Sequence, residues 1–231
     1  MAIYAIGDLH LSFNADKPMN VFGEKWQNYE NKIKKDWMEK VKENDLVILL
    51  GDFSWATYLK QSYEDFLYLD QLPGKKIMLK GNHDYWWTTI TNMKNFLKEK
   101  EISNIEFLQN NCFEFENIII AGTRGWNFND SKIFNREVMR LENSLEKAVK
   151  LNMENKEIIT CMHYPPITKS MLEQNIKSQF IDVMKKYNVK KCFYGHLHAQ
   201  AIDEKVEGIL DGIEFRLLSA DAVDFKLYKI Q

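Results

Sequence analysis

The sequence predicts an α/β fold, with parallel strands in the sheet and helices outside it. Short β-branched apolar runs alternate along the chain with longer amphipathic stretches. Helical stretches step by three and four residues, whereas the runs between them are only four or five residues long. From Gln200 onward this alternation gives way to short segments separated by turn residues, which suit antiparallel strands finishing a sheet.

The elements follow in order. Ile3–Ile6 opens the chain as a strand. Ile33, Trp37 and Val41 recur every four residues, the apolar stripe of a helix. Leu46–Leu50 and Lys76–Leu79 read as buried strands, as do Ile118–Ala121, Glu157–Cys161 and Lys191–Tyr194. Between them, Phe134, Val138, Leu141, Leu145 and Ala148 mark a long helix with Asp130 at its N-cap. Phe215–Leu218 and Phe225–Lys229 are the closing antiparallel strands. The expected arrangement is two sheets packed face to face with helices outside. The chain has only four prolines, two of them at Pro165-Pro166, and no linker, repeat or low-complexity tract. A single domain over residues 1–231 is expected.

Composition narrows the function classes. With 45% hydrophobic and 28% charged residues, the chain is ordinary globular material, long enough to bury a core without disulfides. Thirty-one basic residues against 33 acidic ones leave a net charge of −2, so no broad basic footprint exists for nucleic acid. The longest apolar run, Leu46–Leu50, is far short of the roughly 20 residues a spanning helix needs. The N-terminus runs directly into a strand, without a basic start or a small-residue cleavage site. Cys112, Cys161 and Cys192 are widely spaced and form no CxxC pair, so reduced thiols and a cytoplasmic location are expected.

All five histidines fall at the downstream ends of the strand runs. The runs end as Gly7-Asp8-Leu9-His10, Gly51-Asp52, Gly81-Asn82-His83-Asp84, Met162-His163 and Gly195-His196-Leu197-His198. Ligands of open α/β sheets bind beyond the carboxyl ends of the strands, so five segments should converge on one crevice. The glycines let the chain turn off the strand and let neighbouring loops approach closely. Asp8-x-His10 and His196-x-His198 are spaced so that, in extended backbone, each pair points to one side. The candidate ligands are Asp8, His10, Asp52, Asn82, His163, His196 and His198. Seven donors exceed the four that one zinc ion takes and suit two ions with a shared carboxylate. Imidazole and carboxylate donors without thiolate favour transition metals over calcium or magnesium. Paired ions are a common apparatus for in-line displacement at phosphorus.

The ordered pattern DxH, GD, GNHD, H and GHxH, spread from Asp8 to His198, resembles the calcineurin-like metallophosphoesterase superfamily. Gly7–His10 and Gly81–Trp87 are also similar to a bacterial group of predicted phosphohydrolases. The resemblance implies a four-layer α-β-β-α sandwich of two mixed sheets. It implies two divalent metal ions, manganese first, with iron, zinc, nickel or cobalt as alternatives. Asp8, His10, Asp52 and His198 would hold one ion. Asp52, Asn82, His163 and His196 would hold the other, with Asp52 bridging. A hydroxide between the ions would attack phosphorus, and His83 would be the leaving-group acid. The expected partner is a small-molecule or nucleotide phosphoester, diester or monoester, with no membrane and no stable nucleic-acid complex.

Departures from the superfamily's branches matter too. Gly51-Asp52-Phe53-Ser54-Trp55-Ala56-Thr57 lacks the acidic and arginine positions of the protein phosphatases' GDxVDRG. Trp55 stands where purple acid phosphatases have a tyrosine, and His83 where lipid A pathway hydrolases have an arginine. Without the usual acidic partner, Asp84 either orients His83 or caps the following helix. Arg124, between Gly122-Thr123 and Gly125, either grips a phosphate oxygen or closes a turn with a salt bridge. Arg136 and Arg140, four apart, read as a solvated helix face. Phe13, Trp55, Tyr58, Tyr85, Trp86, Trp87, Trp126 and Tyr164 either stack on a base or pack the loops. Leu11–Gln27 is either a lid or a loop packed in place. A silent binding module of the same fold and a nuclease are the competing functions.

Overall fold

The computed structural model describes residues 1–127 and 130–231. Its strands are β1 (Ile3–Ile6), β2 (Leu46–Leu49), β3 (Lys75–Met78), β4 (Ile105–Phe107), β5 (Cys112–Phe115), β6 (Ile118–Thr123), β7 (Glu157–Met162), β8 (Lys191–Tyr194), β9 (Gly208–Leu210), β10 (Ile213–Leu217) and β11 (Tyr228–Lys229). Its helices are α1 (Tyr29–Lys40), α2 (Tyr63–Asp70), α3 (Ile90–Glu99), α4 (Ser131–Leu151), α5 (Lys169–Glu173) and α6 (Gln179–Lys186). One sheet runs β11-β1-β2-β3-β4, the other β5-β6-β7-β8-β10-β9. Both are mixed: β1 to β4 are mutually parallel with β11 antiparallel, and β6, β7, β8 and β10 are parallel with β5 and β9 antiparallel at the edges.

Period-two alternation sorts the strand residues into layers. Ile3, Ala5, Leu46, Ile48 and Leu50 face Ile118, Ile120, Ile159, Cys161 and Phe193 between the sheets. Tyr4, Ile6, Val47 and Leu49 face the other way, onto Ile33 and Trp37 of α1, Phe66 of α2 and Leu97 of α3. Ile119, Ala121 and Phe215 pack on Phe134, Leu141 and Leu145 of α4 and on Phe180 of α6. The result is the four-layer α-β-β-α sandwich. Central strands buried on both faces explain why the runs are continuously apolar. Asp130 caps α4, its carboxylate accepting from the Lys132 and Ile133 amides at 3.1 and 3.0 Å. Cys161 and Cys192 are buried strand residues, and all three thiols are free.

Several expectations need correction. Phe215–Leu218 falls in β10, which is antiparallel to β9 as expected but parallel to β8 on its other side. The 3-10 helix Ala199–Glu204 and β9 lie between β8 and β10 in the chain and carry it back to the starting edge. Only Tyr228–Lys229 survives of the last segment, antiparallel to β1. Val41 lies just beyond α1 in extended backbone. β4, β5 and β9 were not expected; β4 and β9 are three residues each, too short for periodicity to register. Among the described residues no helix is long and apolar enough to cross a membrane.

Leu11–Gln27 is packed in place at several points. Leu11 bridges to Ser54, and Leu11, Met19 and Trp26 are buried. Asp65 of α2 holds its start, accepting from the Phe13 amide at 3.0 Å and from the Ser54 hydroxyl. Burial raises the Asp65 carboxyl from 3.8 to about 6. The folded chain therefore holds this proton more tightly than the unfolded chain does. Stability falls as pH rises through that window, and the penalty stands in full above it. Asn retains an acceptor for Phe13 and a donor for the Ser54 oxygen. Asp65→Asn is expected to gain roughly 1–2 kcal/mol at about pH 8, shrinking toward about pH 4, in paired urea titrations. A gain independent of pH would refute a charge-burial origin.

Candidate metal centre

Backbone bonds bring the strand ends together before any side chain acts. The Asp8 amide donates to Gly51 O and the His10 amide to Asp52 O, each at 2.9 Å, zipping the loop after β1 to the loop after β2. The Gly195 amide donates to His163 O at 3.1 Å, joining the loops after β7 and β8. The His196 amide donates to Asp8 Oδ2 at 2.9 Å, tying the two sheets' loops to each other. Close approach requires glycine at two positions. A Cβ on Gly81 would stand 2.0 Å from Asp52 Oδ1, and one on Gly195 would stand 2.3 Å from Asp8 Oδ2.

The extended-backbone expectation for Asp8-x-His10 and His196-x-His198 fails. Asp8, His10, Asp52 and His196 have φ of 60°, 47°, 49° and 74°, all in the left-handed region. Asp and His enter it more readily than most residues, yet each such residue costs on the order of 1 kcal/mol or more. These tight turns, rather than strand alternation, gather the side chains.

All seven expected ligands fall in one cluster, in two overlapping sets. In the first, His10 Nε2 lies 3.4 Å from His198 Nε2, and Asp8 Oδ1 lies 3.3 Å from His198 Nε2. In the second, Asn82 Oδ1 lies 2.7 Å from His163 Nε2 and 2.9 Å from His196 Nδ1. Asp52 Oδ2 stands between the sets, 3.8 Å from His10 Nε2 and 3.5 Å from His163 Nε2. Asp8 also approaches His163, at 3.6 Å, but on Nδ1. That nitrogen lies 3.0 Å from Leu50 O and so carries the proton, which leaves Nε2 as its lone-pair atom. Asp8, His10 and His198, and separately Asp8, Asp52 and His163, offer donor atoms that all lie within 4.8 Å of one another.

These residues fit a metal. Imidazole nitrogens and carboxylate oxygens crowd together in a buried site, with His10 Nε2 and His198 Nε2 only 3.4 Å apart. Metal ligation needs neutral imidazole. Burial lowers His163 to about 3 and His196 to about 4, and pushes His10 down as well. Burial also pushes His198 down, but the Asp8 and Asp221 carboxylates outweigh it and lift it to about 10. Burial, then the nearby Asp84 and Asp8 carboxylates, raise Asp52. Burial acts upward on Asp8 too, yet the surrounding imidazoles, His198 foremost, hold it below the ordinary range. Such a set is balanced by added positive charge.

The family model for calcineurin-like phosphoesterases matches residues 1–200. The chain belongs to that family. It is therefore a metal-dependent phosphoesterase, of a family that binds divalent metals. No curated protein matches it. Among solved structures it is similar to AQ665 of Aquifex aeolicus, a protein of unknown function, at 18% identity and TM-score 0.54, covering 99% of this chain and 95% of that one. It is also similar to TT1561 of Thermus thermophilus, at 14% identity and TM-score 0.54, covering 98% and 96%. These two likenesses show the fold.

Around the phosphoesterase's cluster, neither expected role of Asp84 holds. Thr89, not Asp84, caps α3. The buried Asp84 carboxylate instead accepts from the amides of Asp52, Phe53, Ser54 and Gly81 and from Trp86 Nε1. His83 donates its amide to Asp52 Oδ1 at 2.7 Å, and its ring packs against Trp55 at 4.6 Å. Burial, then the Lys17 charge, lower its pKa. Trp55 also stacks on His10, and Tyr164 lies 3.9 Å from His196, so these rings buttress imidazoles. Trp86 and Trp87 are core, and Phe13, Tyr58 and Tyr85 are exposed.

Asp221 escaped the sequence reading. Its Oδ1 lies 2.7 Å from His198 Nδ1, and its Oδ2 accepts from the Ala199 amide at 3.1 Å. It follows a strand run, Phe215–Leu218, as the expected ligands do, which was the available signal. Arg124 does close a salt bridge, 3.4 Å from Glu137, and its guanidinium lies 4.4 Å over Trp126. Arg136 is exposed and Arg140 half-buried, in keeping with a solvated face, but both also line a cavity with Arg124.

Proposed function

We propose that residues 1–231 act as one phosphohydrolase domain with a dinuclear centre. Asp8, His10, Asp52 and His198 hold one divalent ion, and Asp52, Asn82, His163 and His196 hold the second. The observation that carries this reading is the position of Asp52 Oδ2 between His10 Nε2 of one set and His163 Nε2 of the other. Bound there, two transition-metal ions, manganese first among them, supply an activated water and offset charge developing on the phosphoryl oxygens.

The chain's own residues do the rest. Leu50 O fixes the His163 tautomer, and Asp221 orients His198, as outer partners of metal-ligating imidazoles do. Trp55 and Tyr164 hold rings in place and exclude water. His83 is the leaving-group acid. Its Nδ1 is buried without a partner, so the proton given to the leaving oxygen is assigned to Nε2. A phosphoester anion beside the ring opposes the lowering by burial and favours the protonated acid. Arg124, beside the His163 loop, binds a phosphate oxygen. The substrate is a small-molecule or nucleotide phosphoester.

The test is hydrolysis of bis(p-nitrophenyl) phosphate against p-nitrophenyl phosphate by protein stripped of metal and refilled with manganese, iron, zinc, nickel or cobalt. Metal-dependent turnover with two ions per chain is expected. A single ion at full activity overturns the dinuclear reading. His83→Asn is expected to keep both ions and lose about 10²-fold or more in kcat, most with poor leaving groups. Loss of an ion in this variant, by elemental analysis, would overturn the role given to His83.

A further inference from the structure

A cavity of about 200 Å³ opens beyond the carboxyl ends of β3, β4 and β6, the same end of the sandwich as the ligand cluster. Lys80, Arg124, Arg136 and Arg140 line it, so three of the chain's four arginines converge there. Glu137, fully buried, is the only carboxylate among its described lining residues. Its Oε2 accepts from the Thr123 hydroxyl at 2.6 Å. Its Oε1 is shared by Arg140 at 2.8 Å, Arg124 at 3.4 Å and Arg136 at 3.8 Å.

Four cations thus face one anion, in a chain whose net charge is −2. The positive charge is concentrated, partly desolvated and left over. Arg124 Nε is buried without a hydrogen-bond partner, and among the described residues Lys80 has no ion pair. Glu137 ties the guanidiniums together through a single oxygen, and among the described residues no other carboxylate pairs with them. Planar guanidiniums held in this way suit an oxyanion with several acceptor oxygens. The cleft is smaller than the roughly 300–1,000 Å³ that takes a whole ligand, so it takes part of one.

It also adjoins the metal cluster. Lys80 precedes Asn82 by two residues, and Arg124 O accepts from the His163 and Tyr164 amides at 3.2 and 2.8 Å. We propose that this cavity is a phosphate subsite, and that the natural substrate carries a second phosphate group beyond the one that is cleaved. The substrate class rests on the phosphohydrolase reading, whereas the anion site does not.

Two measurements separate them. The first is calorimetric titration of metal-stripped protein with inorganic pyrophosphate. Binding that weakens with salt is expected, and Lys80→Gln and Arg136→Gln should each weaken it about tenfold. Lys80 has no ion pair to lose, so its variant should fold, as thermal unfolding will check. No binding, or binding untouched by both variants, overturns the anion site. The second is inhibition of bis(p-nitrophenyl) phosphate hydrolysis by AMP and by ADP in manganese-loaded protein. ADP is expected to compete about tenfold more tightly than AMP, and Lys80→Gln should collapse the difference. Equal inhibition overturns the second-phosphate substrate. Absence of any hydrolysis overturns the phosphohydrolase reading, and with it the substrate class, but leaves the pyrophosphate result standing.

Discussion

Asp52→Asn is expected to abolish turnover while leaving the metal-free fold as stable as the parent or more so. The change is isosteric, and the oxygen accepting from the His83 amide at 2.7 Å can be kept. What is lost is charge at a side chain that stands between His10 of one ligand set and His163 of the other. Removing an outer partner of a metal ligand typically costs about 10–100-fold, so a shared ligand should cost more than about 10²-fold in activity. The stability arm has the opposite sign. Asp52 is buried, and Asp84 and Asp8 both raise its pKa, so the empty site bears like-charge repulsion. Metal content by elemental analysis, turnover and metal-free unfolding together check this. Retention of two tightly bound ions would remove Asp52 from the bridging role.

Asp84→Ala is expected to be the most damaging single change to stability. Its carboxylate accepts from Asp52, Phe53, Ser54 and Gly81 amides at 2.9, 2.9, 3.3 and 2.7 Å, and from Trp86 Nε1 at 2.9 Å. Each buried donor stripped of its acceptor costs about 1–3 kcal/mol. Even with water replacing part of the carboxylate, a loss of about 4 kcal/mol follows. Against a total of about 5–15 kcal/mol, that lowers the melting temperature by roughly 10 °C or leaves the chain insoluble. Asp84→Asn keeps an acceptor and should fall between. Parent-like unfolding of the alanine variant would show that the loops after β2 and β3 are held by something else.

That Asp8, His10, Asp52, Asn82, His163, His196 and His198 would cluster was legible because they follow apolar runs, and a sheet delivers such positions to one edge. The layers were legible because both-face burial writes itself as unbroken apolar strands. Partnership across loops was not. Asp84 lies beside His83 in sequence but serves Asp52 and Gly81, a choice set by which loop packs on which. Asp221 lies 23 residues beyond His198 and meets it only because β10 runs parallel to β8. Arg136 and Arg140 share a helix face by spacing, but spacing does not say that Lys80 and Arg124, from the loops after β3 and β6, line one cavity with them.

The division of the proposed donors between the two sheets has a consequence for assembly. Asp8, His10, Asp52 and Asn82 follow β1, β2 and β3 of one sheet, while His163, His196 and His198 follow β7 and β8 of the other. Neither sheet alone offers a complete set, and each set draws from both. A chain with one sheet formed, or with the two undocked, has only fragments of a binding site. Tight metal uptake therefore reports the finished sandwich, and chelation withdraws a clamp across its seam rather than a component of either half.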